Sequence, residues 1–186
     1  MRILSGSVDV DIRQWRSKEE LKTFIGTRRG GLLLGTSAEQ GTEFYSARFV
    51  GEDGGPSEYV VGVCNEGLGV NPQLLIVPDT GLCLFGLNSE VVCVSFRKRS
   101  MEYHLPLGCL FRTMIPLFGR DLILAVYEFG VKAIRASGGA EVWDVARDVV
   151  ERVGVADDTV RIQFMDSAPI TVDVATGVAV STQPSR

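Results

Sequence analysis

Along residues 3–12, small or polar positions alternate with apolar ones. Val8, Val10 and Ile12 stand against Asp9 and Asp11, the period-two signature of a half-buried strand. The period then changes. Ser17 followed by Glu20 has capping-box spacing, and Leu21, Phe24 and Ile25 share one helical face before Gly26, which predicts a short helix over 17–25. From Gly30 onward, turn signals recur about every eight to twelve residues, the spacing of antiparallel β-structure. Gly30-Gly31, Glu39-Gln40-Gly41, Glu52-Asp53-Gly54-Gly55-Pro56, Asn71-Pro72 and Pro78-Asp79-Thr80-Gly81 separate runs such as LLLG, EFYSARFV and EYVVGVC, and predict a meander from 30 to 96.

One strand pattern occurs twice, about 49 residues apart, in Leu74 to Phe96 and in Leu122 to Val145. Each copy is an apolar run, a Gly-marked turn, a second run, a polar turn and a third run. Gly81 matches Gly130, and Asn88-Ser89 matches Ser137-Gly138. Self-similarity on this scale marks supersecondary units that bury their faces against one another. Between the copies, 97–119 interrupts the rhythm, with Pro106 and Pro116 bracketing an apolar run too short for a helix. After the second copy, valine richness and the Asp157-Asp158 turn favour a strand at 149–155 paired with 159–165, then a last strand at 169–174 and a frayed tail, STQPSR. The expected fold is mainly β: an antiparallel meander of blade-like repeats, as a partial propeller or a sandwich, with one short N-terminal helix. The expected organisation is a single domain over 1–186, with an N-terminal part at 1–70, a first repeat plus insert at 74–119 and a second repeat at 121–180.

The second repeat resembles one blade of a quinoprotein-like β-propeller, whose blades carry Ala-x-Asp-x-x-Thr-Gly-x-x-x-Trp. Ala133, Gly139 and Trp143 fall at the matching offsets, with Arg135 in place of the aspartate and Gly138 in place of the threonine. Asp173-Val-Ala-Thr176-Gly177 matches the central part again, without the tryptophan. The resemblance covers 121–177 and implies that a turn of one blade packs a tryptophan of its neighbour. It brings no quinone or metal, because no residue here matches that family's cofactor positions. Closure needs at least four blades, roughly 160–200 residues of uniform repeat. The two copies and the unlike first 70 residues point to an open form.

A chain of 186 residues buries roughly 70% of its unfolded surface without staples. Cys64, Cys83, Cys93 and Cys109 lie in apolar runs with no CxxC pair, and read as buried thiols of a reducing compartment. The N-terminus has no signal-peptide pattern and no run reaches roughly 18 apolar residues, so a cytoplasmic protein without a membrane span is expected. The net charge of −4 works against nucleic-acid binding.

His104 is the one histidine, and a catalytic reading would pair it with Cys93 or Cys109; neither cysteine has a nucleophile signature around it. A zinc reading of Cys93, His104 and Cys109 fails on spacing. Glu66-Gly67-Leu68-Gly69 begins like a dinucleotide loop, but Asn71-Pro72 stands where its last glycine and helix should be. Asp144 faces away from Trp143 and Val145, which predicts a solvated carboxylate. The exposed cluster that stands out is Arg97-Lys98-Arg99 with Tyr103 and His104, read as a docking patch for an acidic or anionic partner. With no catalytic residue, cofactor or metal assigned, the expected function is a non-enzymatic protein-binding module, of inhibitor or immunity type. The alternative is a small-molecule binder or hydrolase with a pocket between the repeats. A homo-oligomer that completes the blades is a third reading.

Overall fold

A computed structural model describes residues 2–5, 8–28, 30–35, 41–51, 58–68 and 70–180. The turn signals at Glu39-Gln40 and Glu52–Pro56, Gly69 and the STQPSR tail lie outside these. The chain divides into two compact units: Met1–Asn88 with Val92–His104, and Ser89–Val91 with Leu105–Arg186.

In the first unit, β1 (Arg2–Ser5), β2 (Val8–Trp15), β4 (Glu43–Gly51), β5 (Glu58–Asn65) and β3 (Leu32–Leu34) form sheet I in the order β1-β2-β4-β5-β3. Two expectations are corrected here. The single strand read over 3–12 is a β1–β2 hairpin, with Ile3 opposite Val10. The stretch from 30 to 96 is not a pure meander, because β3 pairs in parallel with β5, Leu33 opposite Gly62. The helix forms as its caps dictate. In α1 (Lys18–Gly26), Ser17 Oγ accepts from Glu20 N at 3.2 Å, and Glu20 Oε2 accepts from Arg16 N at 3.3 Å. Its Leu21 and Ile25 pack with Phe44, Val60 and Cys64 on the outer face of sheet I, and the Trp15 ring lies tilted against Phe24 with centroids 4.6 Å apart. The other face of sheet I, with Val10, Phe49, Tyr59 and Val61, packs on Cys83, Phe85, Leu87 and Val94 of sheet II.

Sheet II is the meander β6 (Gln73–Val77), β7 (Leu82–Leu87), β8 (Glu90–Ser95), β9 (Ser100–Pro106). In the second unit, sheet III repeats it as β10 (Phe111–Leu117), β11 (Leu122–Tyr127), β12 (Gly130–Arg135), β13 (Glu141–Ala146). Sheet IV repeats it again as β14 (Val150–Ala156), β15 (Thr159–Phe164), β16 (Ile170–Asp173), with a bridge from Val172 to Ala179 starting a fourth strand. The strands expected at 149–155, 159–165 and 169–174 are thus present. Segment 97–119 supplies the last strand of one blade and the first of the next. Its prolines fit because β9 and β10 are the outer strands of their sheets, where a missing N–H need not break a ladder.

The repeat itself is shorter than the 49-residue match. The turn between third and fourth strands is closed by Arg99 N to Ser95 O, Gly139 N to Arg135 O and Gly177 N to Asp173 O, each 2.8 Å. All three closing residues have positive φ: 59°, 70° and 69°. In each blade the residue before the second strand accepts from the residue after the third: Phe96 N to Gly81 O, Ala136 N to Asp121 O and Val174 N to Asp158 O. The period is therefore about 40 and then about 38 residues. Gly81 precedes a second strand while Gly130 begins a third, so the 49-residue match slipped by one hairpin. The pattern of two apolar runs around a turn looks the same at every hairpin of a meander.

Sheets III and IV share a core of Leu124, Val131, Ala133, Trp143, Val160 and Ile162. Sheet IV turns Val160, Ile162 and Phe164 inward, and sends Arg161, Gln163 and Arg152 outward into solvent. The family-like tryptophan does what the resemblance implies. Trp143 Nε1 donates to Val174 O at 2.8 Å, and the indole covers Gly177, where a Cβ would lie 2.5 Å from Trp143 Cγ. Asp173 Oδ1 fixes that turn by accepting from Ala175 N, Thr176 N and Thr176 Oγ1.

Candidate functional site

The basic run forms the turn between β8 and β9, and each of its residues has a local task. Arg97 lies over Gly81, where a Cβ would come within 2.6 Å of Arg97 Cδ. Lys98 Nζ pairs with Glu102 Oε2 at 2.9 Å, and Ser100 Oγ donates to Glu102 Oε1. Arg99 takes the left-handed position of the turn. Glycine stands at the equivalent place in the next two blades, so Arg99→Gly is expected to stabilise the chain by about 1 kcal/mol in urea unfolding. Loss of stability would show instead that the Arg99 side chain holds the turn. Tyr103 occupies in β9 the place that Trp143 has in β13, and its hydroxyl bonds with Cys93. His104 is exposed at the next position.

The cysteines are free thiols, three of them buried and Cys109 partly so. Burial pushes the Cys93 thiol up to about 11 and Cys83 well above its ordinary value, which takes both away from the thiolate a nucleophile needs. Among the described residues, no group of three or more His, Cys, Asp and Glu is placed to hold a metal ion.

Asp144 is not simply a solvated carboxylate. Its Oδ1 accepts from Tyr127 Oη at 2.6 Å, and its Oδ2 pairs with Lys132 Nζ at 2.9 Å. Lys132 also pairs with Glu141 at 2.5 Å. The register dictates the cluster: Lys132 stands between Ala125 and Asp144 on the face of sheet III that also carries the buried Ile123 and Ile134. Burial works to lower the Lys132 pKa, but the hydrogen bonds and charges of Glu141 and Asp144 outweigh it and raise the value. Burial and the bond to Asp144 hold the Tyr127 phenol far above its ordinary range. The result is a neutral tyrosine and a charged lysine, both already paired.

The end of the second unit opposite these tight turns carries the connectors between blades. The β13–β14 connector is held on both sides: Arg147 N donates to Phe129 O, Val150 N to Glu128 O, and Met165 N to Val149 O. Asp148 receives Ser167 Oγ at 2.8 Å, Val149 N at 2.7 Å and Asp166 N at 3.3 Å; these bonds, the Ser167 hydroxyl first, lower its pKa. Phe129 and Met165 project from this frame, 42% and 64% exposed. Their anchor points are two residues apart on one connector, about 7 Å along an extended chain. The sequence reading missed this pair, because an isolated apolar residue in a turn carries no periodic signal.

The first unit holds a cleft of about 340 Å³ lined by residues of β2, β4 and β5 in sheet I and of β6 and β7 in sheet II. Ile12, Tyr45, Ala47, Val63, Leu74 and Phe85 line it, with Asn71 and Gln73 among its polar residues. His104 and the cysteines are not in its lining.

No family model matches the chain, and no curated protein matches it. Among solved structures it is similar to the computationally designed Ika8 protein (10% identity, 97% of this chain and 59% of that one, TM-score 0.50). It also matches the designed Ika4 protein (10%, 66% and 78%, 0.49) and BamB from Moraxella catarrhalis (15%, 73% and 42%, 0.46). The chain thus spans less than two thirds of Ika8 and of BamB. At these identities the likeness concerns the fold alone. It carries no chemistry.

Proposed function

We propose that this chain is a non-enzymatic binding module that presents the connector end of its second unit to a protein partner. The observation that carries this reading is the exposed pair Phe129 and Met165 on a hydrogen-bonded frame. Large apolar side chains on a preorganised backbone lose little entropy on docking, and they gain about 25 cal/mol for each Å² they remove from water. Asp148, Asp166 and Arg147 supply a polar rim of the kind that surrounds such anchors. An inhibitory or immunity-type role is one use of such a surface.

The test is affinity capture of the full chain from its native lysate. A stoichiometric partner is expected with wild type and with Arg97, Lys98 and Arg99 all changed to Ala. It should be lost from Phe129→Ser/Met165→Ser, with the circular dichroism spectrum unchanged. Retention in the double variant together with loss in the triple one would move the docking site to the β8–β9 turn, with Tyr103 and His104 beside it. The cleft of the first unit favours a second reading, a small-molecule binder, whose site lies between sheets I and II.

A further inference from the structure

We propose that the cleft of the first unit selects ligands by charge: it takes a planar apolar body bearing a neutral or cationic hydrogen-bond donor, and it rejects anions. This rests on the small-molecule reading and adds the ligand class to it. The volume of about 340 Å³ falls in the roughly 300–1,000 Å³ range of small-molecule sites and suits a body of two or three fused rings. Ile12, Val63 and Leu74 give aliphatic walls, Phe85 gives a ring, and Ala47 leaves the space that a larger side chain would fill.

The polar lining residues Tyr45, Ser46, Asn71 and Gln73 are all uncharged, and the carboxylate bonded to them is that of Glu43, through Tyr45. Tyr45 is hydrogen-bonded to Glu43, and burial together with that carboxylate raises the Tyr45 pKa, so the phenol stays protonated. A phenol that donates to Glu43 keeps its oxygen lone pairs to accept from a ligand. Glu43 is itself fixed, because the buried Asn65 donates Nδ2 to Glu43 Oε2 at 2.8 Å and also to Val70 O at 3.0 Å. Among the described residues, no Arg, Lys or His lies in the lining. An anionic head beside Tyr45 would meet the Glu43 charge with no cation to offset it. An amine or hydroxyl there gains an acceptor and a favourable field.

The experiment is a fluorescence titration of the full chain with 1-aminoanthracene, and with anthracene-1-carboxylate as the same ring carrying an anion. Saturable one-to-one binding of the amine is expected, with the carboxylate at least tenfold weaker. Ala47→Leu should abolish the amine signal. Tyr45→Phe, which keeps the ring and the packing, should weaken the amine about fivefold and leave the carboxylate unchanged or tighter. Absence of saturable binding by either probe overturns the small-molecule reading itself. Carboxylate affinity equal to or above that of the amine overturns the charge selection and leaves the cleft standing as a site. Undiminished amine binding to a folded Ala47→Leu, or to Tyr45→Phe, places the site elsewhere and overturns the proposal.

Discussion

Trp143→Ala is expected to cost about 3–5 kcal/mol in urea unfolding followed by circular dichroism, the range for truncating a buried indole. Trp143 is 7% exposed and belongs to the core shared by sheets III and IV. Truncation opens a cavity there and also strands Val174 O, which receives the indole N–H at 2.8 Å. Trp143→Phe keeps most of the apolar contact and loses that bond, so about 1–2 kcal/mol is expected. Gly177 tests the mechanism. Its φ of +69° and the ring standing where its Cβ would go both oppose alanine in the native chain. After Trp143→Ala the steric part is gone and only the backbone part remains. Gly177→Ala should then cost clearly less than in wild type, and strict additivity of the two changes would refute the docking of tryptophan on the turn.

The second large effect is expected at Lys132. Lys132→Met leaves Asp144 and Glu141 without their cation. Breaking a buried pair costs about 3–5 kcal/mol, and the partial exposure of both carboxylates reduces this to about 2–3 kcal/mol. Alkaline pH should act on the same cluster. Lys132 and Tyr127 both have folded pKa values above their unfolded ones, so both bind protons more tightly in the native state. Their stabilisation is complete below the unfolded values of about 10 and is lost as pH rises through the higher folded values. The melting temperature should therefore fall more steeply above about pH 10 in wild type than in Lys132→Met/Tyr127→Phe. Parallel alkaline limbs in the two proteins would show that the cluster does not govern this loss.

The helix was readable from Ser17 and Glu20 because a cap is a local bond between neighbours in sequence. Strands β14 to β16 were readable because Asp157-Asp158 punctuates an alternating run. Segment 97–119 was not, because proline signals a break unless the strand is known to be an outer one, and strand order is a long-range property. The parallel pairing of β3 has the same cause. The 49-residue match takes one hairpin for the next, whereas Arg135–Gly139 against Asp173–Gly177 gives the correct spacing. That turn is set by positive φ at its closing residue, which marks a fixed place in the blade, whereas apolar runs mark every strand alike. The Lys132 cluster is hard to read in sequence because β12 is a mainly apolar strand whose Lys132 has no charged neighbour within it on the same face, and the cluster's other members come from β11 and β13. The docking patch read at Arg97–Arg99, Tyr103 and His104 rests on charge in sequence; of its three cations, Lys98 pairs with Glu102.

Sheet I has α1 laid over its outer face, and sheet IV turns Arg152, Arg161 and Gln163 outward. An apolar sheet face left open is a hazard, because it accepts a layer of the next molecule as readily as it accepts its own neighbour. Such head-to-tail contacts have no stopping rule and end in fibres. The helix over sheet I and the guanidinium groups on sheet IV each deny their own face to such a contact. Each cover thus acts, on its own face, as a terminator of polymerisation.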